Sequence, residues 1–273
     1  MKRFIIPFVL VVMLFTACSS NKKTPPMEVV NFRLTETVEF TERISKAYYY
    51  PAGKAVYAMN PETHQILIRK GDKQPNVIGG IGSGNTNFLA LADIAMGPEG
   101  SIYALDSSQR QIKRFNPDGK YLSSMELSYV QQPQRLALGT EQNVYVYDAA
   151  TTEIIAFNLL DGSELYRFGR FQLERVDQLY ANRDYVVAYN RNKDESALFS
   201  SLGQFISNDS GQIVYDAYNN AIGLSNEALV SKMSAAWLPL TGQAKIMTIS
   251  RDTLAIVVDR QVRLLKLDYA PVF

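Results

Sequence analysis

Four stretches of this chain repeat one another in order and spacing, and an internal repeat constrains architecture more firmly than any local propensity. Ser101 to Asp106 is followed by Gln111 to Asn116, then by Asp118-Gly119, then by Lys120 to Met125. The same order recurs as Asn143 to Asp148, Glu153 to Asn158, Asp161-Gly162 and Glu164 to Phe168. A third copy runs Tyr185 to Asn190, Ser196 to Phe199, Leu202-Gly203 and Gln204 to Ser207, and an earlier one runs Ala55 to Asn60, Gln65 to Arg69 and Asn76 to Ile78. An Asp or Asn closes the first segment of each copy at 60, 106, 148 and 190, which gives spacings of 46, 42 and 42.

The repeated segments are short, rich in Val, Ile, Tyr and Phe, and separated by Asn-Pro-Asp-Gly or Leu-Asp-Gly turn chemistry, so they read as strands in hairpins. No part of the chain after the N-terminal apolar run carries the periodicity of a long amphipathic helix. A unit of about 42 residues holding four short strands has the size of one propeller blade. The innermost strand of each unit is expected before the landmark, at Ala92 to Met96, Gln134 to Leu138 and Gln178 to Tyr180. The run from Ile94-Ala-Met through Gly97-Pro-Glu-Gly, Ser101 to Asp106 and Phe115-Asn-Pro-Asp-Gly resembles an NHL-type repeat. Its wider kin are the TolB-like six-bladed propellers common among Bacteroidetes lipoproteins. The resemblance covers residues 45 to 208 and implies an all-β propeller of four-stranded blades.

The C-terminal third departs from the pattern. Thr253 to Asp259 and Gln261 to Leu267 restore a strand pair, but Asp259 lies 69 residues beyond Asn190, too far for one blade and short for two. Between them Gln212 to Asp216, Ala228 to Lys232, Ala235 to Leu240 and Lys245 to Ile249 are strand candidates, so the expectation is a worn blade and six in all, with five as the alternative. Few residues follow Leu267, whereas Asn31 to Phe40 alternates Phe32, Leu34, Val38 and Phe40 without a partner. That segment is expected to complete the last blade and close the ring, so that no sheet edge is left unpaired. The propeller domain is accordingly placed at 31–273, with Tyr57, Tyr103, Tyr145, Ile112, Ile154, Phe115, Phe157 and Phe168 packing between blades.

The first residues carry an address. Lys2 and Arg3 precede the apolar run Phe4 to Phe15 and the small residues Thr16 and Ala17. About 12 such residues span roughly 18 Å as a helix, short of a ~30 Å hydrocarbon core, so 1–17 reads as an export signal. Phe15-Thr-Ala-Cys18 resembles the lipobox of bacterial lipoproteins, with Phe15 where Leu is usual. The resemblance implies diacylation of the Cys18 thiol, and residues 18–30, with Lys22, Lys23, Pro25 and Pro26, then form a tether. Ser19 stands where inner-membrane lipoproteins often carry Asp, and no acidic stretch follows. By resemblance this implies an outer-membrane anchor facing the periplasm.

Composition narrows the chemistry. Lys and Arg number 28 against 27 Asp and Glu, with no long basic run, which gives no footprint for nucleic acid. One His and one Cys cannot build a His/Cys zinc site, and a catalytic triad would have to use His64, which falls in a turn. The recurrent Asp and Asn, one per blade, lie on too wide a ring for a single metal and suit bonds to turn amides. Gly79 to Gly84 lacks the helix that a phosphate loop requires and reads as a blade crossover. Asp252-Thr-Leu254 resembles the Bacteroidetes O-glycosylation tripeptide.

In a propeller the loops joining strands two and three, and those leading to the next blade, emerge on one face. Here they carry Arg110, Tyr129, Arg170, Phe171 and Arg191, residue types suited to protein recognition. The expected function is a non-catalytic, lipid-anchored scaffold for a protein partner in the envelope, without cofactor or metal. The alternatives are a receptor for a glycan or small ligand, and a hydrolase resembling calcium-dependent six-bladed lactonases, for which Asp93 and Asp177 are the acidic candidates.

Overall fold

The computed structural model describes residues 25–139, 142–225, 228–242 and 246–272. The export signal and Cys18 lie outside the described residues. Six antiparallel sheets of four strands each account for the regular structure. Blade 1 runs Lys46–Tyr50, Ala55–Asn60, Gln65–Lys70 and Asn76–Gly79; blade 2 runs Leu91–Met96, Ile102–Asp106, Gln111–Phe115 and Tyr121–Glu126. Blade 3 is Pro133–Leu138, Asn143–Asp148, Glu153–Asn158 and Glu164–Phe168, and blade 4 is Gln178–Ala181, Tyr185–Asn190, Glu195–Ser200 and Phe205–Ser210. Blade 5 is the smallest, with Gln212–Tyr215, Ala221–Leu224, Ala228–Ser231 and Trp237–Pro239. Blade 6 joins both ends of the fold, since Ile246–Ser250, Thr253–Val258 and Gln261–Pro271 are completed by Met27–Glu39. The first strand of each blade faces a central channel.

The expected closure by an N-terminal strand therefore holds, in a longer form. Met27 pairs with Pro271 and Glu39 with Gln261 across the whole strand. Met27 to Val30, assigned from sequence to the tether, belong to this strand, and Val29 is fully buried. Ala221–Leu224 had no counterpart in the sequence reading. It is only four residues long, contains Gly223 and ends without the landmark Asp or Asn.

The second strands of the first blades are buried on both faces, so they read as near-continuous apolar runs rather than alternating: Ala55–Asn60 and Ile102–Asp106 contain no exposed residue. The core is divided into six seams between neighbouring blades. Tyr57, Ile66 and Ile68 of blade 1 meet Phe88, Ile94 and Phe115 of blade 2, and Ile112 of blade 2 meets Leu136, Val144 and Phe157 of blade 3. Tyr145, Ile154 and Phe168 meet Leu179, Val186 and Phe199. Val187 and Leu198 meet Ile213 and Tyr215 across the sparsest seam, and Val214 and Ile222 meet Met247 and Leu254. Val257 and Leu264 return to Val56 and Leu67. The aromatic residues expected between blades all lie there. Tyr57 and Tyr145 also bond the next blade, their hydroxyls donating to Pro117 O at 3.5 Å and Ser201 O at 3.0 Å.

Turn glycines serve the same seams. Gly203 adopts φ +82°, and a Cβ there would stand 2.7 Å from the Phe168 ring of the preceding blade, so the turn rests directly on the neighbouring core.

Burial of so many phenols predicts sensitivity to alkali. Burial raises Tyr57, Tyr180, Tyr189 and Tyr269 above the ordinary tyrosine range and pushes Tyr215 up to about 12. Unfolded tyrosines ionise near pH ~10, so above that the unfolded chain binds fewer protons than the folded one and stability falls as pH rises. The urea midpoint is expected to be flat around neutrality and to drop steeply above pH ~10, with phenolate absorbance appearing in step with unfolding. A smooth phenolate titration near pH ~10 with an unchanged midpoint would contradict this.

Candidate functional site

The recurrent Asp and Asn are turn staples. Asp106 Oδ1 accepts the amides of Ser108 at 3.1 Å and Gln109 at 3.0 Å, while its Oδ2 accepts Leu89 N of the incoming crossover at 2.8 Å. Asp148 does the same with Ala150 at 3.1 Å and with Gln131 at 3.0 Å. Asn60 and Asn190 hold only their own turns, bonding Glu62 N at 2.9 Å and Asn192 N at 3.0 Å. One residue thus shapes a loop and ties it to the next, which explains its phase better than a metal does. Among the described residues no three His, Cys, Asp or Glu side chains are grouped to hold a metal ion.

The other motifs are structural too. Gly79 to Gly84 forms the crossover into blade 2, and the buried Lys113 Nζ donates to the carbonyls of Gly84 at 2.9 Å and Asn87 at 2.6 Å. Burial holds that ammonium below the ordinary lysine range. The loop presents carbonyls to a cation, the reverse of a phosphate cradle. His64, expected to be an exposed turn residue, is half-buried, and its Nδ1 accepts Leu91 N at 3.0 Å across the first seam. Thr253 is buried at the start of a strand and donates to Asp252 Oδ1 at 3.1 Å, so the glycosylation tripeptide is not presented to solvent.

A belt of polar contacts encircles the channel. Lys46 Nζ of blade 1 lies 2.9 and 3.0 Å from the two carboxylate oxygens of Asp93 in blade 2, and both side chains are 2% exposed. Asp93 Oδ2 also accepts Leu136 N of blade 3 at 2.9 Å, and its Oδ1 accepts Ile94 N at 2.8 Å. Arg135 Nε donates to Asp177 O at 2.6 Å, linking blade 3 to the entry of blade 4. Gln178 and Gln212 donate from blades 4 and 5 to Met247 O of blade 6, each at 2.8 Å, and Gln212 bonds Gln178. Thr248 Oγ1 then donates to Ala47 O at 2.5 Å and completes the circuit. Burial is the largest influence on Lys46 and pulls it down, but Asp93 and Tyr48 outweigh it, so the ammonium titrates above the ordinary lysine range.

At one end the channel opens into a funnel of about 540 Å³. Arg43, Lys46, Arg135, Arg175 and Arg191 line it, facing Glu62, Asp93 and Asp177. These positions belong to the loops that join second to third strands and one blade to the next, together with the starts of the first strands. The opposite mouth, about 330 Å³, is lined by Tyr50, Tyr180, Tyr215, Asn182 and Arg251 among others.

The five loop residues singled out from sequence all lie exposed on the funnel's face. Tyr129 is 74% exposed and Phe171 90%, and the Arg170 guanidinium sits 5.9 Å from the Phe171 ring centre. Their loops are tied to neighbouring turns, since Leu127 N donates to Arg110 O at 2.8 Å, Ala149 N to Gln132 O at 2.9 Å and Thr152 Oγ1 to Arg170 O at 3.3 Å. Arg110, Tyr129, Arg170 and Phe171 form an arc over blades 2 to 4, and Arg191 alone reaches the funnel wall. Arg110 also takes a left-handed backbone, φ 52°, as do His64, Thr152 and Asp194 at the equivalent turn position.

Asp93 and Asp177, the acidic candidates for hydrolysis, have their oxygens occupied. Asp177 Oδ1 accepts Arg175 at 2.8 Å and its Oδ2 accepts Arg191 N at 2.9 Å. The funnel cations Arg43, Lys46, Arg135 and Arg175 were not found from sequence. The available signal was a charged side chain on or just before an inner strand, as in Lys46 and Arg135.

No protein-family model and no curated protein sequence matches the chain. Among solved structures it is similar to the WD40 β-propeller domain of Doa1, with a TM-score of 0.57 at 9% identity over 87% of this chain and 97% of that one. The fold is a six-bladed β-propeller. At that identity the likeness extends to architecture alone. The propeller departs from the regular repeat in the short strands of blade 5 and in blade 6, whose outer strand comes from the other end of the fold.

Proposed function

We propose that this propeller is a lipid-anchored, non-catalytic scaffold that docks a protein partner in the bacterial envelope through the face carrying Arg110, Tyr129, Arg170, Phe171 and Arg191. The observation that carries this reading is the exposure of Tyr129 and of Phe171, the latter with Arg170 against its ring, on loops tied to neighbouring turns. Large aromatic and Arg side chains held on a rigid frame are the groups from which interface hot spots are built. The NHL-like repeat and the lipobox-like Phe15-Thr-Ala-Cys18 supply the envelope setting and the anchor at the outer membrane.

Geometry adds an orientation. Met27–Glu39 is the outermost strand of blade 6 and enters it from the face opposite the arc. Under the proposed anchoring at Cys18, this point of entry supports an aromatic arc that faces away from the bilayer and toward the periplasm. The belt around the channel supports a non-catalytic reading of Asp93 and Asp177, because the Asp93 carboxylate is consumed in holding blades 1 to 3 together and the Asp177 carboxylate in bonding Arg175 and the Arg191 amide.

Affinity capture from native envelopes tests the docking claim. The wild-type protein is expected to retain a stoichiometric partner that the variant Tyr129→Ala, Arg170→Glu, Phe171→Ala loses by at least tenfold, with the propeller still folded. Equal recovery by both proteins, or recovery of no partner by the wild type, would sink the proposal.

A further inference from the structure

The funnel at the channel mouth is a second site, separate from the aromatic arc. We infer that it binds a small ligand bearing one or more oxyanion groups, carboxylate or phosphate. The inference does not depend on the docking proposal, since the funnel can fill whether or not the surrounding loops hold a protein.

Charge balance and geometry argue for it together. Of the three carboxylates in the wall, Asp93 is buried and neutralised by Lys46, and Asp177 already bonds Arg175 and the Arg191 amide. Glu62 approaches Arg43 only loosely, at 3.8 Å, with both side chains well exposed. The acids are thus committed to structure or offset by single cations, while the arginines outnumber them.

Arg135 is the pivot of the site. It is half-buried in the funnel wall, and its Nε and Nη1 donate to Asp177 O at 2.6 Å and Gln134 O at 2.7 Å. Two carbonyl oxygens fix the plane of the guanidinium, and among the described residues no carboxylate forms an ion pair with it. A fork held in this way is pre-oriented for bidentate recognition of an oxyanion. Arg175 and Arg43 stand on loops at the rim, where they can close on a second oxyanion group of the same ligand. A volume of about 540 Å³ lies within the range of small-molecule sites and suits a ligand of citrate size or the end of an acidic chain. Being partly desolvated, the funnel strengthens such contacts relative to the open surface.

Calorimetric titration of the full chain in detergent, at about 0.15 M salt, tests this with citrate, inorganic phosphate, a hexaglutamate peptide and neutral raffinose. Citrate or phosphate is expected to bind at submillimolar concentration and raffinose not at all. Hexaglutamate binding as tightly as citrate would assign the site to chain-borne carboxylates, and binding of citrate or phosphate alone to free anions; either outcome supports the inference. Arg135→Gln is expected to weaken binding at least tenfold. Should that variant fail to fold, Arg175→Gln together with Arg43→Gln, both at exposed positions, is expected to weaken binding at least fivefold. Absence of binding by all three anions, equal binding of raffinose, or unchanged affinity in the folded variants would overturn it.

Discussion

Replacing Asp93 by alanine is expected to destabilise the propeller by about 3–5 kcal/mol, the range for breaking a buried ion pair from one side. Three losses coincide at this position. The Lys46 ammonium, 2% exposed, keeps its charge without a counter-ion, and the amides of Ile94 and Leu136 lose their acceptor. Each amide left buried and unsatisfied adds about 1–3 kcal/mol in principle, although relaxation and water entry absorb part of it. Because a domain's whole stability is about 5–15 kcal/mol, the variant should sit close to unfolding at room temperature.

Lys46→Met should cost less, since Asp93 would still accept the amides of Ile94 and Leu136. Lys46→Met combined with Asp93→Leu should recover much of the loss, because apolar replacement of a whole buried pair is often neutral. Urea denaturation of the three variants reads these differences directly. A shift below about 1 kcal/mol for Asp93→Ala would mean that the belt around the channel does not hold the blades.

The second large effect concerns the anchor. Under the proposed lipidation, Cys18→Ser should move the protein entirely from the membrane pellet to the soluble fraction. A diacylated and N-acylated terminus buries tens of CH₂ groups at ~0.8 kcal/mol each, far beyond what stable attachment requires. A serine oxygen does not form the thioether, so the whole anchoring energy disappears with one sulfur atom. The propeller itself should be unchanged, because its first strand begins at Met27. Persistence of the variant in the pellet after an alkaline wash would show that some other contact holds the protein to the membrane.

What was legible in the sequence was the part written as a phase-locked repeat. Asn60, Asp106, Asp148 and Asn190 each sit at the same turn because each bonds the amides of that turn, so periodicity of residues reported periodicity of hydrogen bonds. Blade 5 was legible only as a worn blade, with its second strand missed, because its turn-holding carboxylate has moved. Asp216 follows the first strand rather than the second, where its Oδ1 accepts Tyr218 N and Asn220 N, each at 2.8 Å. The landmark is then missing at Leu224, and strands of three or four residues give no pattern of their own.

The candidate site divides in the same way. Arg110, Tyr129, Arg170, Phe171 and Arg191 could be assigned to one face from topology alone, because loop order fixes the face. The funnel could not, because Arg43, Lys46, Arg135 and Arg175 come from different blades and no local pattern joins them. Asp93 and Asp177 were visible as acids near inner strands, but the Asp93 partners Lys46 and Leu136 lie 47 and 43 residues away, and Asp177 bonds Arg175 and the Arg191 amide. A carboxylate available for chemistry and one consumed in structure look identical until those partners are placed.

Under the proposed function, a rigid ring turns one loop face toward a partner and receives its tether from the other. Site-specific photo-crosslinking in native envelopes tests this most directly, with the reactive group placed at Phe171 or Tyr129 on the arc and at Leu160 or Leu202 on the opposite face, all strongly exposed. The account predicts a discrete protein adduct from the first two positions and none from the second two. Adducts confined to Leu160 and Leu202, or absent from all four, would contradict it.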